Sequence, residues 1–294
     1  HLIGLKQSLR KCEAVAMTPA TKDLLEALHG QLFLSGSNVK TLNYVETLSS
    51  NGERLTLHPS GHILGSAQVL VEAKDGTRCV YTGDFRLSSE TPVLEADVLV
   101  IEATYGNPLQ VRPFEKIVEN AFVSLVESGL KSGPIYVFGY HGKLQEVMQI
   151  LHDDGVKVPF IVPEKVFQVS RICERYGLRL GKYLLSTEDE AKVIMERREP
   201  YVAFYHMNSR RYVGKDALCI RVSGWEFSGP RRQIADNEHV IALSDHSDFK
   251  GLLNYVQESK PKLVITDNYR VGSAKVLARE IEKRLGIPAK ALPN

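Results

Sequence analysis

The residues best suited to chemistry lie in two Gly-containing turns in the N-terminal third of the chain. The first turn, GHILGS, holds His62, and the second, TGDF, holds Asp84. An imidazole and a carboxylate carried on loops at one edge of a sheet are potential metal ligands. Two ordinary loop residues are the alternative interpretation of this pair.

The segment between the two turns predicts how these side chains meet. Alternating apolar residues predict a strand over 67–73, and a second strand is predicted over 78–82. The Asp-Gly pair at 75–76 is typical of a tight hairpin turn. Because a hairpin brings its two ends together, we expect His62 and Asp84 to lie close to each other.

Further acidic and imidazole groups follow buried strands. The apolar run 98–101 is typical of a strand buried on both faces and ends at Glu102, and the run 240–243 leads into the segment SDHSD with His246. A strand over 262–266 is followed directly by Asp267. Sites in α/β folds commonly lie at such carboxyl ends of strands.

Taken together, these motifs resemble the metallo-β-lactamase superfamily and, more narrowly, its β-CASP branch, which contains nucleases acting on RNA or DNA. There, GHxxGS/A and TGDF/Y motifs bind zinc, and an acidic residue opens an E-S/A-T-Y/F-G motif. His62, Asp84 and Glu102 match these positions. The later pattern SGW…RR…LSDHSD resembles the subgroup called mRNA 3′-end processing factor-like or DNA-ligase-associated exonucleases.

The resemblance implies the fold. We expect an α/β protein, a metallo-β-lactamase αββα sandwich whose N-terminal part is incomplete in this sequence, interrupted by an inserted α/β β-CASP cap. The expected parts are 1–106 for the first portion of the metallo-β-lactamase domain, 107–241 for the cap and 242–294 for the C-terminal portion. The site is expected in the cleft between them.

The resemblance also implies roles. Two zinc ions would clamp the attacking and leaving oxygens of a phosphodiester. The expected metal ligands are His1, His62, Asp84 and Asp267, with Asp84 bridging both ions. His246 would donate a proton or stabilise the phosphate, and Glu102 would orient it. Asp267 departs from the family, which usually has a His there, and an oxygen ligand would alter metal affinity.

His1 is assigned on context. The segment HLIGL resembles the end of the family's HxHxDH motif and the helix after it, so His1 is interpreted as the last His of that motif. A remnant of a purification tag and a protein that lacks the motif are the alternatives.

Nucleic-acid binding is predicted from local charge, since the formal net charge is only +2. Four arginines near aromatic residues suit a phosphate backbone and stacked bases, and the helix-start motif GKLQEV begins with a Gly and a Lys that could bind a phosphate. Solvated surface and an ordinary helix start are the alternatives. The candidates are Arg210, Arg211, Arg231, Arg232, Lys143 and Trp225.

Composition is that of an ordinary globular protein, with 43% hydrophobic and 24% charged residues. The four cysteines form no CxxC pair, which argues against a zinc knuckle. There is no apolar run long enough for a membrane span and no signal peptide, so we expect a cytoplasmic protein, with a homodimer left open.

These observations predict a zinc-dependent nuclease that hydrolyses phosphodiester bonds in RNA or DNA. A non-catalytic β-CASP paralogue that binds nucleic acid or a partner nuclease is the first alternative, and Asp267 favours it. A different metallo-hydrolase on the same fold is the second, and the cap with its basic stretch opposes it.

Overall fold

The computed structural model describes residues 5–34, 38–214 and 216–294. The chain forms two compact units, residues 1–111 with 245–294 and residues 112–244. We call them the first and the second unit. The domain boundaries expected at 106/107 and 241/242 remain predictions. Among the described residues, no helix has the length and apolar character needed to cross a bilayer.

The N-terminal part of the first unit contains two helices followed mainly by strands. The pair Thr18-Pro19 in the sequence predicts a helix start. In the structure Thr18 caps the second helix by accepting a hydrogen bond from the Thr21 N–H, and Pro19 occupies its first turn. The elements in chain order are α1 (Leu5–Lys11), β1 (Val15–Met17), α2 (Pro19–His29), β2 (Val39–Thr41), β3 (Thr47–Ser50), β4 (Glu53–Pro59), β5 (Ala67–Glu72), β6 (Arg78–Tyr81) and β7 (Val98–Ile101).

The second unit alternates helices and strands. Its elements are α3 (Val118–Leu130), β8 (Ile135–Gly139), α4 (Lys143–Asp153), β9 (Phe160–Val162), α5 (Glu164–Arg175), β10 (Tyr183–Leu185), α6 (Asp189–Glu196), β11 (Val202–His206), β12 (Leu218–Val222), β13 (Arg231–Ala235) and β14 (Glu238–Ile241). They form a seven-stranded sheet in the order β10-β9-β11-β8-β12-β14-β13, parallel except for the edge strand β13.

The C-terminal stretch completes the first unit. It contains α7 (Phe249–Ser259), β15 (Leu263–Asp267), α8 (Ala274–Leu285) and β16 (Ala289–Leu292). The main sheet of this unit has the order β16-β15-β7-β6-β5-β4-β3, and β1 and β2 form a separate parallel pair. The sequence pattern predicts a helix over 271–285, and the observed helix α8 starts three residues later, at Ala274.

Strand direction in this sheet explains where the candidate residues converge. Strands β6, β7 and β15 are mutually parallel, so their carboxyl ends share one edge. Strands β4 and β5 are antiparallel neighbours, and β5 is antiparallel to β6. The β4–β5 loop therefore lies at that same edge. The hairpin predicted between β5 and β6 is confirmed.

The core of the first unit lies between this sheet and the helices α7 and α8. Leu99 and Ile101 are fully buried there, together with Phe85, Leu252 and Leu277. Burial of each such side chain stabilises the fold by roughly 1.5–3 kcal/mol. Val98 and Val100 are only partly buried, so β7 alternates instead of being buried on both faces as the sequence indicated.

Candidate active site

The β4–β5 loop positions His62. Gly61 precedes it with φ +69°, a conformation that favours glycine. The Ser60 hydroxyl donates to the Asp84 carbonyl oxygen at 2.9 Å, and the Arg86 N–H donates to the Ser60 carbonyl oxygen at 2.9 Å. These two hydrogen bonds join the loop of His62 to the loop of Asp84.

Asp245 and Asp84 flank the His62 ring. Its Nδ1 lies 3.0 Å from the Asp245 carbonyl oxygen, which only accepts hydrogen bonds, so Nδ1 carries the proton. Nε2 is then the unprotonated nitrogen, and it lies 3.8 Å from Asp84 Oδ2. Burial lowers the pKa of His62, outweighing the opposite effect of the two aspartates. A neutral imidazole with this tautomer is the form that binds a metal.

Glu102 orients His246. The Nδ1 atom of His246 lies 2.8 Å from Glu102 Oε2 and 3.0 Å from Oε1. Glu102 also accepts a hydrogen bond from the Phe85 N–H at 2.8 Å and is 2% exposed. Burial lowers the pKa of His246, but the Glu102 charge and hydrogen bond outweigh it, and the net pKa is raised. The pairing leaves Nε2 of His246 directed away from Glu102.

The two imidazoles lie side by side. The ring centroids of His62 and His246 are 4.6 Å apart. Two overlapping groups have potential ligand atoms within 4.8 Å of one another, namely His62 with Asp245 and His246, and Asp84 with Glu102 and His246. The structure therefore brings together four of the residues predicted from sequence: His62, Asp84, Glu102 and His246.

Asp267 has a different environment from the one expected for a metal ligand. Its Oδ1 accepts a hydrogen bond from the Tyr269 N–H at 2.9 Å, and its Oδ2 accepts one from the Tyr81 hydroxyl at 3.1 Å. Burial raises the pKa of Tyr81 to about 12 and, together with the nearby carboxylates, outweighs the opposite effect of the Arg270 charge, so the hydroxyl keeps the proton that it donates. Among the described residues, Asp267 belongs to neither potential ligand group.

Three residues of the site were not predicted from sequence. Asp245 immediately precedes His246, and this position beside a predicted site residue could have identified it from the sequence. Arg270 donates to Asp84 Oδ1 through Nη1 in a close contact, and Tyr81 lies 3.4 Å from its Nη2. Nothing in the local sequence around Arg270 or Tyr81 indicates these contacts, because they join distant segments. His1 lies outside the described residues.

The nucleic-acid candidates lie in the second unit and differ in their surroundings. Arg210 is paired with Glu238 at 2.7 Å, and Arg232 makes a close ion pair with Glu226. Arg211 and Arg231 are exposed, and the Arg211 guanidinium lies 4.8 Å from the centre of the Tyr212 ring. Exposed basic groups beside aromatic rings suit phosphates and bases.

The two remaining candidates also differ. Lys143 is 5% exposed, and its Nζ lies 3.0 Å from Glu146 Oε2 on the first turn of α4. Trp225 is 52% exposed. About half of Trp225 is therefore in contact with solvent, whereas the Lys143 ammonium is directed at a carboxylate of its own helix. Their proposed roles in binding remain predictions.

Two relatives, one of them uncharacterized, are more than 30% identical to this chain over long stretches. An uncharacterized protein in the lig 3′ region of Acidianus ambivalens is 39% identical over 138 residues, which is 47% of this chain and 99% of that protein. A probable DNA ligase of Opitutus terrae is 31% identical over 250 residues, covering 81% of this chain and 23% of the ligase.

Two further relatives are named for RNA processing. The RNase J-like protein of Methanocaldococcus jannaschii is 32% identical over 129 residues, 40% of this chain and 30% of the relative. Cleavage and polyadenylation specificity factor 73 of Drosophila melanogaster is 26% identical over 187 residues, 60% of this chain and 26% of the relative. The chain belongs to the β-CASP branch of the metallo-β-lactamase superfamily.

This β-CASP chain shares its fold with a solved structure of unknown function from Enterococcus faecalis V583. The TM-score is 0.68 at 14% identity, and the match covers 96% of this chain and 74% of that one. The predicted fold class, α/β of the metallo-β-lactamase type, is confirmed. No protein-family model matches the chain. It spans 23–30% of the length of the three longer relatives above.

Family membership implies a metal ion. The donor atoms at the site show whether the residues present could bind one. His62, Asp84, Asp245 and His246 supply nitrogen and oxygen donors of the types that zinc binds. Their potential ligand atoms cluster within 4.8 Å in the groups given above, so this part of the site fits a divalent cation. The part around Asp267 fits one poorly, since the Arg270 guanidinium, itself a cation, contacts Asp84 there.

Proposed function

We propose that this chain is the catalytic region of a metal-dependent nuclease that hydrolyses phosphodiester bonds in RNA or DNA. We further propose zinc as the metal, the DNA-ligase-associated or mRNA 3′-end processing factor-like subgroup as its place in the branch, and the cytoplasm as its location. The observation that carries the proposal is the convergence of His62, Asp84, Asp245 and the Glu102–His246 pair at one sheet edge.

The ligand side of the site is formed by His62, Asp84 and Asp245. These residues would hold a divalent cation, which supplies Lewis-acid stabilisation of the charge on the phosphate. Asp245 fixes the His62 tautomer through its carbonyl oxygen, so that Nε2 faces Asp84. A ring held in this tautomer loses little freedom when it binds a metal.

His246 is the proton-carrying group in this proposal. Glu102 holds its Nδ1–H, which places Nε2 as the nitrogen that gives a proton to the leaving oxygen or hydrogen-bonds to the phosphate. The Glu102 backbone N–H donates to Thr82 Oγ1 at 3.2 Å, so the carboxylate itself is held at the end of β7. Glu102 is thus a positioning residue that acts through His246.

Cleavage of labelled oligonucleotides tests the proposal. The natural protein that carries this sequence is incubated with single-stranded RNA and DNA in the presence of zinc or manganese, and with a chelator. We expect metal-dependent cleavage, slowed about 10²–10⁴-fold by His246→Ala. His152→Ala, an exposed histidine on α4, is the matched control and should cleave normally.

The results also decide what is cleaved. Labels at the 5′ and 3′ ends distinguish exonuclease from endonuclease products, and parallel RNA and DNA substrates identify the preferred polymer. Equal rates for His246→Ala and the parent protein would contradict the proposed chemistry. Cleavage that persists in the chelator would contradict the metal requirement.

A non-catalytic nucleic-acid-binding protein is the second candidate. The observation that favours it is the ion pair between Arg270 and Asp84, which places a cation on a carboxylate needed for the metal. This candidate predicts binding of oligonucleotides without cleavage. Cleavage gained by Asp267→His in an otherwise inert protein would support it for the natural sequence.

A further inference from the structure

Arg270 lies where the sequence predicts that Asp267 binds a metal. Its Nη1 closely contacts Asp84 Oδ1, its Nη2 is 3.4 Å from Tyr81 Oη, and its Nε is 3.9 Å from Asp267 Oδ2. The Arg270 side chain is 26% exposed, compared with 5% for Asp84 and 13% for Asp267. One guanidinium therefore faces both carboxylates at a site largely shielded from water.

The backbone around Arg270 is held on both sides. The Asn268 N–H donates to the Leu292 carbonyl oxygen and the Ser273 N–H donates to the Ala103 carbonyl oxygen, each at 2.8 Å. Gly272 packs so closely against Ala103 that a Cβ atom would collide with its backbone. The β15–α8 loop is thus fixed to β16 and to the segment after β7. These contacts hold the backbone from which the Arg270 side chain extends.

Protein donors already engage Asp267. The Tyr269 N–H and the Tyr81 hydroxyl each donate to one of its two oxygens. A metal ion bound by Asp267 would compete with these hydrogen bonds. It would also stand a few ångströms from a guanidinium, where like charges repel strongly at a partly buried site.

We propose that Arg270 is a resident counter-cation that neutralises Asp84 and Asp267 and closes the second metal position. The chain then holds one divalent ion, on the side of His62, Asp245 and the Asp84 oxygen that faces His62. This inference rests on the metal centre proposed above. It assigns to a side chain the charge that a second ion would bring in a two-metal site.

Metal titration of the natural protein that carries this sequence tests the proposal. Isothermal titration with Mn²⁺ or Zn²⁺ is expected to give one ion per chain for the parent protein. Arg270→Gln removes the charge and keeps much of the side-chain length. It should bind a second ion, or bind the first roughly 100-fold more tightly, because a unit positive charge has left the site. In Arg270→Gln/Asp267→Asn the second ion should be lost again.

Two control variants and a second measurement distinguish an effect of charge from an effect of stability. Arg270→Lys retains the charge and should keep one ion, and Arg279→Gln, an exposed arginine on α8, should change nothing. The rise in melting temperature on adding metal, measured in parallel, should be larger for Arg270→Gln than for the parent, which reports on metal even if the variant is less stable.

Each outcome decides between the two proposals. If the parent and Arg270→Gln bind one ion with equal affinity, the counter-cation role is wrong and the metal centre stands. If neither binds an ion, both proposals are wrong. Two ions in the parent protein would also overturn the counter-cation role.

Discussion

Each acidic side chain of the site has a different partner. Asp84 contacts Arg270, Glu102 holds His246, and Asp245 contacts His62. The Asp84 oxygen beside the guanidinium is neutralised, whereas its other oxygen and the Asp245 carboxylate face the neutral imidazole of His62 and can share a cation with it. The partners therefore separate the roles of three residues that look alike in sequence.

Glu102→Gln tests the positioning of His246. The amide oxygen still accepts the Phe85 N–H, so the fold should be retained, but the charge that holds the His246 ring is lost. We expect nuclease turnover to fall about 10–100-fold, the usual cost of losing a partner that orients a functional histidine. Turnover and substrate affinity are measured separately. Glu127→Gln, at an exposed position on α3, is the control, and a loss of affinity alone would contradict the positioning role.

Glu226 predicts a pH dependence of stability in the second unit. Burial raises its pKa, but hydrogen bonds from Ser228 and Arg232 outweigh this and bring the pKa down to about 2. A carboxyl group with a depressed pKa stabilises the fold above its ordinary pKa, 4.5 here, and loses this contribution as the pH falls through about 2.

The comparison with Glu226→Gln measures that contribution. Above pH 5 the variant should be less stable by roughly 1 kcal/mol, a value reduced by solvent screening because Arg232 is half-exposed. The difference should shrink between pH 4.5 and pH 2. Urea unfolding at several pH values measures it, with the surface variant Glu199→Gln as control. A difference that does not depend on pH would show that the ion pair is not its source.

At the scale of elements, the site depends on strand ends. Thr82, Gly83 and Asp84 follow β6, Glu102 follows β7 and Asp267 ends β15, all at one edge of the sheet. The SDHSD segment contributes residues both to the site and to the start of helix α7. Its last residue, Asp248, accepts a hydrogen bond from the Gly251 N–H and caps α7, so it is a structural residue of the motif.

Gly61→Ala tests the loop that positions His62. Gly61 has φ +69°, and an added Cβ would collide with Thr91 Oγ1 and the Arg86 carbonyl oxygen. We expect a loss of about 2–4 kcal/mol of unfolding free energy, since strain and collision add. The control is Gly76→Ala in the β5–β6 turn, which has φ +84° but open space around the Cβ position, and should cost about 1 kcal/mol. Chemical denaturation measures both, and equal costs would contradict the proposed contact.

Charge at the scale of the whole molecule is nearly balanced, with 37 basic and 35 acidic residues. The proposed nucleic-acid binding would therefore depend on local basic groups. Two of the arginines predicted to bind phosphate, Arg210 and Arg232, are paired with carboxylates, while Arg211 and Arg231 are exposed. The exposed pair has more capacity to contact a phosphate backbone.

Replacing the exposed pair tests this distinction. Arg211→Ala and Arg231→Ala should each weaken oligonucleotide binding and lower the slope of log affinity against log salt by about one. Arg197→Ala, an exposed arginine on the same unit, is the control. Fluorescence anisotropy at several salt concentrations measures the slope. Slopes unchanged from the parent protein would remove both arginines from the binding surface.

Short motifs in the sequence determined several local elements of the fold and the family of this protein. The Asp-Gly turn predicted the β5–β6 hairpin, Thr18-Pro19 predicted the start of α2, and the His62, Asp84, Glu102 and His246 motifs predicted the family. These features depend on local backbone preferences and on side chains next to strand ends, so neighbouring residues are sufficient to specify them.

The tertiary structure alone decided which charges meet. Arg270 and Asp84 are 186 residues apart in sequence, and they meet because the strands before them, β15 and β6, lie in one sheet with parallel directions. Arg210 and Glu238 of the second unit, 28 residues apart in sequence, are likewise brought together by the fold. An ion pair depends on distance in space and on burial, which follow from strand order. Sequence spacing does not report either, so the contact of Arg270 with a predicted metal ligand was visible only in the folded chain.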